Sequence, residues 1–449
     1  MFQIEARPGW SWQRNFDRFN ASITGPDGAL RFTGPLPQMA DWVAFSKRIG
    51  CDYHTFEAKW HDGICYWNTP LTAWKTPVDY CRQFADESRA VGIPHGFYYS
   101  VVFDHNPDFD AIQPVRCATS SFLGMRGGKR AALKKSLGFT QFIRLLFWLM
   151  ERELKRAGIR VERPRPFFDA FRLNAFTYDP DRYCRYVLAQ LDELCGRYGA
   201  FTIWTDWFGP DGEALSDEVM DFMQQRYPQV VLTFNTSITR DVRWAHYVSW
   251  EAHGLPSTWQ QVNAYRRLLR PWELITPAAA NWDAPQPKLN PVENAQTAAL
   301  IMAAGGKALF GIAAQMDGSL RPEVMGQLED FGDWLRPRRT LFVDATPMQY
   351  GGRAVPGVSA DDPGIVMLGA ELGNDRLLHL LDLRAAGRPR HQPLRVEFSE
   401  PHWTSIEQII LEPSNRSLAV ARRATTTAVE LPAHGVDAID TILRVVCRR

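Results

Sequence analysis

The sequence predicts an α/β protein: a (β/α)8-like TIM barrel over residues 1–337, then a small C-terminal β-sandwich over residues 338–449. Three observations carry this. Amphipathic helices alternate with short buried strands as far as Leu335, and the strands end in polar residues, which is the rhythm of βα units. The sharpest unit joins a helix from Tyr183, stopped by Gly199, to the apolar run Phe201–Trp204, which ends on Asp206. Past Pro337 the texture becomes short strands separated by Gly, Pro and Asn turns, as in antiparallel sandwiches.

Taken in order, residues 1–36 are turn-rich, with one short strand expected at Ala29–Phe32. Trp42, Val43, Phe45 and Ile49 lie on one face of a helix ended by Gly50. A strand Tyr53–Phe56 follows, then a loop Glu57–Gly63, a helix Val78–Val91 and a strand from Gly96 to Val102 that opens into the polar stretch Asp104–Asp110. Residues 111–175 break the alternation. Their basic run and a helix at Thr140–Ala157 read as an insertion: a lid, an oligomer contact (a homo-oligomer) or an ordinary solvated helix. After Asp206 come a helix at Asp217–Gln225, a strand Val230–Asn235 and a strand Ala245–Trp250 ending at Glu251. A strand from Trp272 precedes Asn281-Trp-Asp283. A helix Pro291–Ala304, a strand Lys307–Ile312 and a helix Leu320–Leu335 complete about seven or eight βα units. Seven sandwich strands are expected, among them Ile365–Leu368, Leu377–Leu381 and Ser417–Val420.

Composition narrows the function classes. Fifty-one basic and fifty acidic residues nearly cancel, so neither nucleic acid nor an anionic membrane is called for as a partner. The seven cysteines are odd in number and scattered without zinc or redox spacing, which fits a reduced, cytoplasmic setting with no metal and no cofactor. The N-terminus lacks a signal-peptide pattern, and no apolar run approaches the ~18 residues of a membrane span. Sixteen tryptophans suit both sugar stacking and core packing.

An acid at the end of a buried parallel strand is where (β/α) barrels place catalytic groups, although an Asp there can equally cap the next turn. Several blocks then resemble glycoside hydrolase family 29, the retaining α-L-fucosidases. Ala58-Lys-Trp-His-Asp-Gly-Ile-Cys-Tyr-Trp67 is similar to that family's Ala-Lys-His-His-Asp-Gly-Phe-Cys-Leu-Trp block. Gly96-Phe-Tyr-Tyr-Ser100 with His105–Asp110, Ile203-Trp-Thr-Asp206, Gly305–Phe310 with Asp317-Gly-Ser, and Phe331–Leu335 resemble further blocks in the same order. The likeness spans about residues 38–110 and 178–449.

The resemblance implies a two-carboxylate double displacement, with Asp206 matching the nucleophile. Glu251 looks most like the acid/base and Glu273 stands second. His61 matches a sugar-binding histidine, and Trp60 occupies the place of the histidine before it. Tyr99, or failing that Tyr98, is expected to bond the sugar or the nucleophile, since only one of two adjacent strand residues faces inward. Trp204 shares the face of Asp206 and either walls the pocket or belongs to the core. The family's first-strand histidine block has no counterpart in residues 1–36, so the sugar itself is left open. The implied partner is an oligosaccharide or glycoside carrying a terminal α-L-fucosyl or related sugar. The alternatives are a carbohydrate-binding pseudoenzyme and a glycosidase for another sugar.

Overall fold

The computed structural model of the chain describes residues 30, 37–101, 104, 106–109, 179–206, 213–235, 245–252, 255, 262, 270–280, 282, 286–315, 318–350, 355–384, 390–399, 402–403 and 405–448. The expected strand at 29–32 (Leu30 apart), the insertion at 111–175 with its helix, His105 and Asp317 lie outside the described residues. The chain divides into two compact units, one of residues 1–47, 51–248 and 316–319, the other of 48–50, 249–315 and 320–449.

The first unit carries four parallel strands side by side in chain order: β1 (His54–Lys59), β2 (His95–Ser100), β3 (Thr202–Asp206) and β4 (Val231–Phe234). Helices α1 (Met39–Ile49), α2 (Tyr80–Val91), α3 (Pro180–Tyr198) and α4 (Glu213–Arg226) alternate with them. The local sequence sets the helix limits. Asp79 and Asp179 cap α2 and α3 by accepting the backbone N–H groups of Arg82 and Arg182. Gly92 and Gly199 end the same helices at φ of 73° and 68°, a backbone that glycine adopts freely. Tyr183, Val187, Leu191 and Leu194 of α3 are wholly buried in one core with Phe97, Ile203 and Leu232. Each such side chain contributes roughly 1.5–3 kcal/mol by leaving water. Gly96 lets β2 and β3 meet, because a Cβ there would lie 2.3 Å from the Thr202 side chain.

The second unit holds the sheet β5 (Val248–Glu251, from Ser249 on), β6 (Trp272–Pro277) and β7 (Lys307–Gly311), with helices α5 (Glu293–Ala303) and α6 (Pro322–Leu335). It also holds two antiparallel sheets. One runs in the order β14 (Arg416–Ser417), β13 (Ile406–Glu412), β17 (Thr441–Cys447), β11 (Asp375–Asp382), β10 (Ile365–Leu372) and β8 (Thr346–Pro347), and the other β15 (Val420–Arg422), β16 (Thr426–Leu431), β12 (Leu394–Ser399) and β9 (Val358–Ala360). Leu378, Leu380, Leu443 and Val445 of the first share a core with Val396, Phe398, Val429 and Leu431 of the second, which is the layering of a sandwich.

The compact units therefore do not follow the boundary expected at residue 337. The reason is chemical. Gln296 on α5 donates its amide to the carbonyls of Asp382 and Ala438, at 3.2 and 2.8 Å. Trp334 and Arg338 both donate to the Asp437 carboxylate at 3.0 Å. The expected strand Ser417–Val420 is instead two short ones, Arg416–Ser417 in one sheet and Val420–Arg422 in the other, because the chain crosses between sheets at Leu418 and Ala419.

Candidate active site

Strand alternation sorts the first unit's side chains. Phe56, Phe97, Ile203 and Leu232 join the helix-side core, so Glu57, Tyr98, Trp204 and Thr233 point the other way. Glu57 pairs with Tyr98, Tyr98 with Trp204 and Trp204 with Thr233, which makes one row across four strands. One step on, at the strands' C-terminal ends, Ser100 pairs with Asp206, and Asn235 follows from β4 through its N–H to the Thr205 carbonyl.

Asp206 is the centre of this second row and only 7% exposed. The Tyr98 hydroxyl donates to its Oδ2 at 2.7 Å and the Asn235 amide to its Oδ1 at 3.0 Å. Donors on both oxygens fix the carboxylate plane. The Nε2 of His61 lies 3.8 Å from Oδ2, and its Nδ1 is 2.7 Å from the Ser100 hydroxyl. The half-buried Trp60 stacks on His61, with centroids 4.9 Å apart and planes at 25°. Trp204, nearly fully buried, stacks on Tyr98 at 5.4 Å.

The expected strand Tyr53–Phe56 runs on to Lys59, with a bulge between Glu57 and Lys59. The extra residue turns Lys59 towards the helices, where its ammonium meets Asp104 Oδ2 at 2.5 Å, Tyr99 Oη at 3.0 Å and Gln190 Oε1 at 3.1 Å. Beyond the bulge, Asp62 accepts the Ile64 N–H at 2.9 Å and so folds the loop that carries His61. Burial pushes the Asp62 carboxyl up to about 7, against the opposing pull of the Ile64 N–H. Gly63 follows at φ +76°, and a Cβ there would sit 2.3 Å from Asp104 Oδ1.

One residue of the sequence reading is corrected. Tyr99 faces the helices, fully buried, and donates to Gln190 Oε1 at 2.6 Å. Its neighbour Tyr98 is the tyrosine that reaches Asp206. The apolar Phe97 carried the signal, since it fixes which way Tyr98 and Ser100 must point. Ser100 and Asn235 were not singled out from the sequence, although Asn235 ends its strand as Asp206 does.

In the second unit, Glu251 ends β5 and is partly exposed, whereas Glu273 is the second residue of β6 and 1% exposed. The Ser249 hydroxyl donates to Glu273 Oε1 at 2.7 Å. Among the described residues, no group of three His, Cys, Asp or Glu side chains is placed to hold a metal ion. None of the described helices is long and apolar enough to cross a membrane.

A family model described as alpha-L-fucosidase matches residues 17–338. Alpha-L-fucosidase isoenzyme 1 from Paenibacillus thiaminolyticus is similar at 18% identity and a TM-score of 0.63, over 96% of this chain and 94% of that one. Thermotoga maritima alpha-fucosidase in complex with fucose is similar at 14% identity and a TM-score of 0.60, over 98% and 83%. A Bacteroides thetaiotaomicron alpha-L-fucosidase, trapped as a covalent intermediate with 2-fluoro-fucosyl fluoride, is similar at 15% and 0.59, over 98% and 85%. No curated protein matches the chain. The structural likeness shows the fold, a (β/α)8-like barrel followed by a β-sandwich. The family match covers well over half of the 449 residues and includes the strand that ends in Asp206, so the chain belongs to the alpha-L-fucosidase family of glycosidases.

Proposed function

We propose that the protein is a retaining exo-glycosidase that removes a terminal α-L-fucosyl or related sugar from a glycoside or oligosaccharide. The observation that carries this is the Asp206 carboxylate at a strand end, oriented by Tyr98 and Asn235 with His61 beside it. In the first step an Asp206 oxygen attacks the anomeric carbon while the bond to the leaving oxygen breaks, and Glu251 gives that oxygen its proton. In the second step Glu251 takes a proton from water. The water oxygen attacks the same carbon and frees Asp206, so the sugar leaves with its configuration retained. Glu251 is favoured over Glu273 for this role because it stands at the C-terminal end of its strand, where barrel chemistry is placed. Glu273 is sealed near the start of β6 and held by Ser249.

His61 serves as a hydrogen-bonding partner for a ring hydroxyl. Trp60 offers flat apolar surface to the sugar, whereas the buried Trp204 backs Tyr98 from beneath the site. Trp60 holds a position where the family block has histidine, which favours a related sugar as readily as fucose itself.

The test is nitrophenol release from a panel of aryl glycosides that includes the α-L-fucoside. Asp206→Asn should lower turnover of the preferred sugar by ~10³-fold or more. Glu251→Gln should remove the alkaline limb of the pH profile, and Glu273→Gln should keep it. Wild-type turnover by Asp206→Asn would refute the assignment of the nucleophile.

A further inference from the structure

Ser100 closes β2 directly beside Asp206 in the strand register and is wholly buried. Its hydroxyl lies 2.7 Å from His61 Nδ1, while the opposite ring nitrogen, Nε2, faces Asp206 Oδ2 across 3.8 Å. A neutral imidazole carries one proton, and the partner of one nitrogen decides which nitrogen holds it. Serine can either donate to Nδ1 or accept from it, so the serine alone does not settle the choice. The carboxylate does. A bare Nε2 lone pair turned towards an anionic oxygen is repelled, whereas an Nε2–H is attracted.

The geometry points to Ser100 as a positioning residue. Its O–H donates to His61 Nδ1 and holds the ring as the Nε2–H tautomer, so that His61 presents a donor to the sugar hydroxyl next to the nucleophile. The other surroundings of His61 are consistent with one fixed ring pose. Trp60 covers a face of the imidazole, and the turn made by Asp62 and Gly63 sets its backbone. The substrate feature recognised is therefore a hydroxyl close to the nucleophile that accepts a hydrogen bond from Nε2. Ser100 acts only through His61. This role rests on the glycosidase reading given above for its effect on turnover, but the tautomer itself does not.

The experiment uses the full chain labelled with 15N-histidine and reads two-bond 15N–1H correlations at neutral pH, with His61 assigned by its loss in His61→Gln. Wild type should show Nε2 protonated and Nδ1 bare. Ser100→Ala should populate the Nδ1–H form and lower kcat/KM by ~10-fold, the scale of one hydrogen bond at a reacting site. Ser100→Thr, which keeps the hydroxyl, should restore both. The loss in Ser100→Ala should also vanish for an aryl glycoside whose corresponding hydroxyl has been removed. An unchanged tautomer in Ser100→Ala, or an Nδ1–H signal already present in wild type, would overturn the inference. Undiminished turnover by Asp206→Asn would instead strike the catalytic reading, and the tautomer spectra would still judge Ser100.

Discussion

Two histidines at the start of neighbouring strands should make the protein acid-sensitive through burial alone. His54 and His95 are register partners in β1 and β2, and both are buried. Ser88 donates its hydroxyl to the Phe84 carbonyl, so it accepts from His54 Nε2 at 2.8 Å. His95 Nε2 donates to the Tyr198 carbonyl at 2.9 Å, because a carbonyl can only accept. Burial lowers the proton affinity of both rings, for His95 against the opposing pull of the Tyr198 carbonyl. Burial, with the proximity of His95 second, pushes His54 down to about 4 from its usual 6.5. A group whose folded value is depressed contributes stability above the unfolded value and loses it as the pH falls towards the folded one. Between pH 7.5 and pH 5 this linkage removes about 2 kcal/mol, and the full loss below pH 4 is about 3 kcal/mol. Urea unfolding followed by tryptophan fluorescence at both pH values measures it, on wild type and on His54→Gln, which keeps a donor for Ser88. Wild type should lose about 2 kcal/mol more than the variant on acidification. If the two lose the same amount, His54 is not the group that protonates on unfolding and the argument fails.

Three further outcomes are expected. Tyr98→Phe removes the 2.7 Å bond to Asp206 and should lower kcat/KM by roughly 10–100-fold with little change in melting temperature, read by steady-state kinetics and calorimetry. Gly63→Ala combines a φ of +76° with a Cβ 2.3 Å from Asp104 Oδ1, so it should destabilise by roughly 2–4 kcal/mol and displace His61; denaturant titration and activity together check this. Lys59→Met leaves the Asp104 carboxylate buried without its cation and should cost roughly 3–5 kcal/mol, so a variant of near wild-type stability would show the pair to be dispensable.

Much of the fold was legible because its signals are local. The Tyr183, Val187, Leu191 and Leu194 spacing, the Asp179 cap and the Gly199 stop define α3 from the chain itself, and the apolar run after it could only be a buried strand. Asp206 was legible for the same reason. What escaped depends on residues far apart in sequence. The bulge that carries β1 past Phe56 has no local mark, and Lys59 takes its place only because Asp104 and Gln190 converge on it. Once that residue is absorbed, the parity of β2 relative to Phe97 decides between Tyr98 and Tyr99, and the Tyr-Tyr pair looks symmetrical without it. Asn235 became visible only when the register set it beside Asp206.

The bonds that tie α5 and α6 to the sandwich carry a consequence for synthesis. Nearly every residue of α5 is buried, and the amide of Gln296 finds one of its carbonyls 142 positions later, at Ala438. As the chain leaves the ribosome, strands β1 to β4 and their helices are complete some two hundred residues before Asp437 and Ala438 appear. Helices α5 and α6 must wait for Asp437 and Ala438 before Trp334 has its acceptor and Gln296 and Arg338 complete theirs. A nascent chain stalled after residue 337 would present α5 as an apolar surface to chaperones. A chain that stops before Asp437 would lack both partners and leave the indole of Trp334 and one bond of the Gln296 amide unmade.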